Sequence, residues 1–180
     1  CVGTGDMSRG ARSEPPGDLA AFYAEQFDRV RGSLVLFTGS RDVGEELAQE
    51  AFVRACQHWD KVRAMDAPGA WVHRVGINLA ISRGRKLRSE RRPHRRLRDE
   101  VLLDSVTGDA DIRAALLALG SDERAVVVLR FYGDLSVAQV ADVLAIPEGT
   151  VKTRTRTGLA ALRESGIRGA GDLERAEEAR

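Results

Sequence analysis

Residues 135–162 read LSVAQVADVLAIPEGTVKTRTRTGLAAL, and this stretch decides the fold. Ser136 with Gln139 three positions on is a capping box, which satisfies two orphan donors at a helix start. Val137, Val140, Ala141 and Leu144 follow at helical spacing and supply one apolar face of a short helix. Ala145, Ile146 and Pro147 stop it, Pro147 suits the first turn of the next helix, and Val151, Leu159 and Leu162 give that helix a buried side. Two helices joined by so tight a turn form a helix-turn-helix. The second helix turns Lys152, Thr153, Arg154, Arg156 and Thr157 outward, long cations and hydroxyls suited to phosphates and base edges. An ordinary hairpin with a solvated basic face fits the same pattern, and Thr155 and Gly158 fall where larger apolar groups would pack better.

Outward from this unit, helical periodicity continues. Leu116, Leu117 and Leu119 mark one helix, Val126 to Leu129 with Phe131 the next, and Gly120 and Gly133 punctuate them. A separate block begins at Asp18, with Phe22, Phe27, Val30, Leu34, Leu36 and Phe37, then Leu47, Ala51, Phe52 and Ala55. Gly39 and Ser40 separate its first two helices, Asp42 is an N-cap type residue, and Glu45 and Glu46 favour the dipole of the first turn. Pro68 and Gly69 break the chain before a helix expected from about Ala70. The fold class is therefore all-α: two small helical domains joined by a flexible linker, the second containing the helix-turn-helix. The expected boundaries are a disordered arm at 1–17, a helical domain at 18–98, an acidic linker at 99–111, the helix-turn-helix domain at 112–167 and a charged tail at 168–180.

The chain has 180 residues, 28 Lys plus Arg against 27 Asp plus Glu, and a net charge of +1, which excludes a uniformly basic nucleic-acid coat. The charge is segregated. Residues 83–98 hold nine cations and the single acid Glu90, a local +8, and subtracting it from +1 leaves about −7 elsewhere. A solvated tether and a phosphate-binding segment both fit that composition. The next segment carries Asp99, Glu100, Asp104, Asp109 and Asp111. Two cysteines, Cys1 and Cys56, are too few for a disulfide framework, and Cys56 at a helical position reads as a small core residue. No apolar run approaches the length of a membrane span, so no stable membrane insertion is expected. Residue 1 is cysteine, which leaves Met7 as a candidate start.

No catalytic set emerges. His58, His73 and His94 lack metal-ligand spacing, there is no glycine-rich phosphate loop, and no nucleophile-base arrangement is signalled; catalytic residues, metal and cofactor are all expected to be absent.

Leu135-Ser136, Val140-Ala141 and the run from Ile146 to Arg154 resemble region four of bacterial sigma factors of the extracytoplasmic-function (ECF) group. The run from Asp42 to Ala55 resembles region two's polymerase-binding helix, and the run from Ala70 to Ala80 its promoter-melting helix. The three motifs, in this order, span roughly residues 20–165. The resemblance implies a sigma factor that binds core RNA polymerase through its β′ and β subunits, recognises and melts promoter DNA, works in the cytoplasm, and is held by an anti-sigma protein, with no small-molecule substrate. It assigns polymerase binding to Asp42, Glu45, Glu46, Gln49 and Glu50. It assigns the minus-ten element to Trp59, Lys61, Arg63, Asp66, Arg74, Asn78, Arg85, Lys86 and Arg88. Glu148, Thr150, Lys152, Thr153, Arg154, Arg156 and Thr157 would meet the minus-thirty-five element. The loop from Asp60 to Gly69 would hold a flipped base, with Trp59 either a stacking wall or core; Arg74 and Asn78 could bind strand or satisfy a buried network. Ser82 stands where the family usually has an acid. The competing reading is a helix-turn-helix regulator whose first domain senses a ligand or protein.

Overall fold

The computed structural model describes residues 17–90 and 110–166. The expected arm, tail and most of the acidic linker, together with Arg91 to Arg98, lie outside those residues, as do the side chains of residues 87–90, 110 and 111. Every element described is helical: α1 (Gly17–Thr38), α2 (Arg41–Gln57), α3 (Trp59–Val62), α4 (Pro68–Glu90), α5 (Ala110–Ala118), α6 (Ser121–Val127), a π-helical turn (Val128–Tyr132), α7 (Val137–Leu144) and α8 (Glu148–Glu164).

Local chemistry explains where these helices begin, and corrects four expectations. Gly39 takes φ of 76°, ends α1, and leaves Ser40 extended at φ −128°. Ser40 is therefore the cap, its hydroxyl accepting from the Val43 N–H at 3.4 Å, while Asp42 sits inside the first turn. α4 starts at Pro68 rather than Ala70, because proline fits a first turn whose N–H has no helical partner. Pro147 instead stands just outside α8, extended at φ −61° and ψ 145°, and serves as its N-cap residue. α5 is already helical at Ala110, inside the expected linker. The capping box of α7 forms as expected, with Gln139 N–H donating to Ser136 Oγ at 3.1 Å and Ser136 N–H to Gln139 Oε1 at 2.8 Å.

α1 and α2 form an antiparallel hairpin closed by α4, with Leu47, Ala51 and Phe52 facing inward as their spacing requires. Cys56 is exposed rather than buried: Ala51, Phe52 and Ala55 take the inward stripe, and Cys56 falls outside it. In the second half α6 crosses α8 so closely that a Cβ at Gly158 would lie 2.7 Å from Val127 Cγ2. Thr155 is buried beside this crossing and returns its hydroxyl to Val151 O at 2.9 Å. The two residues that spoil the core pattern thus permit a helix contact. Gly158→Leu is expected to destabilise the second half by about 1–3 kcal/mol, read by denaturant unfolding.

The two halves share a core. Val30, Leu34, Val72, Ile77 and Ala80 from the first pack in one cluster with Val126, Leu129, Leu135, Val140, Val143 and Val151 from the second. Leu36 of α1 also joins a second cluster, made by α5, α6 and α8, so α1 serves both halves. The π turn, closed by Gly133 N–H to Val128 O at 2.9 Å, carries Tyr132 against α1. His73 is buried where α1, α4 and Gly133 meet: its Nδ1 faces Gly69 O at 3.0 Å and its Nε2 the Ser33 hydroxyl at 3.3 Å. Burial pushes the His73 pKa down and nearby Arg29 adds to the fall, against the Gly69 carbonyl, which raises it. The unfolded chain therefore takes up a proton first. His73 contributes stability that is complete above about pH 6.5 and is lost as pH falls through the folded value. The melting temperature is expected to drop as pH falls below about 6.5, and His73→Gln to flatten that drop.

Candidate nucleic-acid and protein interfaces

Three polar surfaces are built on this frame. On α2, Asp42, Glu46, Gln49 and Glu50 are exposed and Glu45 is half-buried. Glu46, Gln49 and Glu50 border an open groove of about 830 Å³ between α2 and α4, floored by Leu47, Val53 and Leu79, with Ser82, Arg83 and Lys86 on its far wall, while Asp42 and Glu45 lie outside its lining. Glu46 already pairs with Arg83 across the groove at 2.6 Å, and Glu50 with Arg54 on its own helix at 2.9 Å. Val53 is 50% exposed, so the groove offers an apolar floor beneath a charged rim.

The second surface runs from the α2–α4 corner along α4. The loop expected from Asp60 to Gly69 is shorter, because Asp60 to Val62 continue the helical turn begun at Trp59 and α4 starts at Pro68; Trp59 is 8% exposed, packed on Phe22 at 5.2 Å and on Leu19 and Val62. It is core. Its indole Nε1 meets no acceptor at hydrogen-bond distance yet lies near the Asp18 carboxylate, whose pKa is lowered chiefly by that indole; desolvation opposes the fall, and the Leu19 amide and Arg63 add to it. Arg63 bridges Asp18 at 3.4 Å and Asp60 at 3.1 Å beside a depression of about 580 Å³ that also touches Ala64 and Pro68. Lys61 and Asp66 are exposed nearby. Arg74, Asn78, Arg85 and Lys86 are all exposed on α4, which settles Arg74 and Asn78 as surface residues rather than a buried network. Arg74, Asn78 and Arg85 fall on one stripe about 17 Å long, roughly the length of five nucleotides. Arg88 lies in the last turn of α4, its side chain outside the described residues.

The third surface is α8. Lys152, Thr153, Arg156 and Thr157 are exposed in an i, i+1, i+4, i+5 stripe opposite buried Val151, Thr155 and Leu159. Thr153 donates to Gly149 O at 2.9 Å, Glu148 is exposed and Thr150 half-buried. Arg154 is drawn away from this stripe: half-buried, it donates to Asp122 of α6 at 2.6 Å. Among the described residues no group of three His, Cys, Asp or Glu could hold a metal ion, and no helix is long and apolar enough to cross a membrane.

Family models for Sigma-70 region 2 and Sigma-70 region 4 match residues 22–91 and 115–164. The chain is 31% identical over 158 residues to the ECF RNA polymerase sigma factor SigW of Bacillus subtilis, covering 76% of this chain and 82% of that one. It is 33% identical over 157 residues to the RNA polymerase sigma-E factor of Streptomyces avermitilis, covering 82% and 86%. The chain belongs to the ECF sigma factors. The fold agrees: the sigma factor RpoE of Bartonella quintana, solved with the anti-sigma factor NepR, superposes with a TM-score of 0.68 at 21% identity, covering 83% of this chain and 97% of that one.

As an ECF sigma factor the protein directs RNA polymerase to promoters, and such factors are in general initiation factors rather than enzymes. The groove and the α4 stripe of this sigma factor both lie within the region 2 match, the α8 stripe within the region 4 match. Sequence reading missed Asp18, Val53 and Asp122, and did not connect Arg83 with Glu46. Val53 alone carried a signal, an apolar residue standing one position beyond the inward stripe of α2.

Proposed function

We propose that this sigma factor divides its work among the three surfaces, as a region-two-like domain at 18–98 and a region-four-like domain at 112–167. The groove of α2, with Glu46, Gln49 and Glu50 on its rim and Asp42 and Glu45 in the first turns of the same helix, takes a basic amphipathic helix of core polymerase: apolar anchors rest on Leu47, Val53 and Leu79, and cations meet the acids. The α4 stripe tracks the minus-ten strand, with Arg74, Arg85 and Arg88 meeting phosphates and Asn78 a base, while Lys86 reaches phosphate from the groove's far wall beside the stripe. Lys61, Arg63 and Asp66 border the corner depression, and Trp59 acts there as its buried wall. α8 enters the major groove with Lys152, Thr153, Arg156 and Thr157, while Glu148 and Thr150 approach at its first turn. The chain catalyses no reaction itself, operates in the cytoplasm beside polymerase and chromosome, and is restrained by an anti-sigma protein, as its structural relative is bound by one.

The observation that carries this reading is the placement of the acid-rimmed groove and the exposed cationic stripe on two sides of one helix pair, α2 and α4. One rigid body can then hold polymerase and strand together. Run-off transcription with purified core polymerase and a promoter library tests it: start-specific transcripts dependent on this chain are expected, whereas duplex binding without them would favour the regulator reading.

A further inference from the structure

A base turned out of its stack needs a flat partner, and at the corner between α3 and α4 the tryptophan does not supply one. Trp59 lines the depression of about 580 Å³, yet it is 8% exposed and covered by Leu19 and Phe22, so its ring has no free face. The other flat group lining that depression is the Arg63 guanidinium, whose side chain is 53% exposed.

Arg63 is held at three points. Its backbone N–H closes the end of α3 on Trp59 O at 2.8 Å. One terminal nitrogen meets Asp18 at 3.4 Å and the other meets Asp60 at 3.1 Å. Asp18 is itself fixed, because its second oxygen accepts from the Leu19 N–H at 3.0 Å in the first turn of α1, where the helix dipole favours an anion, and Leu19 is buried. Exposed ion pairs are weak one at a time. A guanidinium is planar, however, and carboxylates on both terminal nitrogens take up its fork and leave its faces for contact.

Charge argues the same way. Two carboxylates against one guanidinium give this trio a net −1, which disfavours a phosphate. A base is neutral and stacks on a guanidinium plane as it does on an aromatic ring. Pro68 at the start of α4 also lines the depression, and Arg74, the first cation of the α4 stripe, stands six residues, or about 9 Å of helix, further on. A strand laid on that stripe thus brings a base to the corner.

We propose that Arg63 is a stacking plate for one unpaired base of the promoter strand, and that Asp18 and Asp60 are positioning residues that fix its plane at the depression. The strand itself rests on the sigma-factor reading; the plate assigns Arg63 a base rather than a phosphate, and gives a part in strand binding to Asp18, which lies ahead of the region 2 match at 22–91.

The test uses the full chain assembled with core polymerase and a fluorescent minus-ten single strand, titrated at several salt concentrations. Arg63→Ala is expected to weaken strand binding about five- to thirtyfold with an unchanged salt slope. Arg63→Lys should lose nearly as much, because an ammonium keeps the charge without a face, and Arg63→Tyr should recover most of the loss. A scan of abasic strands should find one site at which the wild type binds as weakly as Arg63→Ala and that variant loses nothing further. Asp18→Asn should weaken binding by up to about fivefold and add nothing in the Arg63→Ala background, a non-additivity that a general loss of stability would not give. Rescue by Arg63→Lys, with the slope of Arg63→Ala reduced by about 0.7, would make Arg63 a phosphate ligand and overturn the plate. An abasic scan without such a site would overturn it too, and additive losses would remove Asp18 from it. A wild-type chain that confers no strand binding on polymerase would overturn the sigma-factor reading itself, so the two failures are read apart.

Discussion

Glu46→Lys combined with Gln49→Ala is expected to abolish start-specific transcription, lowering it at least about a hundredfold, while duplex binding through α8 stays unchanged. The groove supplies the reason. Its floor is apolar and its rim acidic, so a reversed charge at the centre meets the partner's cations with repulsion after both surfaces have lost water; truncations at such centres cost about 2–4 kcal/mol, and a reversal more. Glu46 is 64% exposed, and an exposed pair such as Glu46 with Arg83 contributes only about 0–1 kcal/mol to folding, so the variant should keep native helicity. Pull-down of labelled core polymerase, with circular dichroism as control, measures both. Full retention of polymerase by a folded double variant would refute the placement. Arg83→Ala provides a second reading: by freeing Glu46 from its internal partner it should leave polymerase binding intact or tighten it.

The second large effect belongs to α8. Lys152→Ala, Thr153→Ala and Arg156→Ala are each expected to weaken promoter binding, by about 1–3 kcal/mol where the residue reads a base and with relaxed preference at one position. A residue meeting phosphate should instead weaken all sequences alike and reduce the salt slope by about one. Arg154→Ala is expected to differ in kind. Its guanidinium is occupied by Asp122, so its loss should lower the stability of the second half with little change in base preference. Competition binding against a mutated minus-thirty-five set, with unfolding curves for each variant, separates the three classes; equal affinity in all four would exclude the docking.

What could be read without coordinates was local in sequence. The capping box at Ser136 and Gln139 lies within one turn, and its bond geometry follows from residue types alone. The stripes of α2, α4 and α8 obey the helical period, which is why all three faces were legible. Choices between adjacent candidates were not: Ser40 and Asp42 are both capping residues, and the positive φ of Gly39 selects the first. Contacts between distant residues were invisible. Trp59 becomes core because Leu19 and Phe22 cover it, and the Glu46–Arg83 pair closes across 37 positions. Thr155 and Gly158 looked like flaws in a hydrophobic pattern because Val127, which explains them, lies on another helix. The π turn gave no warning beyond Gly133, yet it decides where Tyr132 points.

That α1 belongs to both cores bears on any attempt to build hybrid initiation factors by exchanging promoter-reading segments between relatives. A graft designed only around the DNA-facing residues of α8 would import a foreign surface against Gly32, Gly39 and Leu36, positions on α1 that lie outside the α8 stripe. Such hybrids should split into two groups, those whose imported half matches the recipient's α1 and those that expose unmatched apolar surface and aggregate during expression. Compatibility between donor and recipient is then decided on a helix that the exchange leaves untouched.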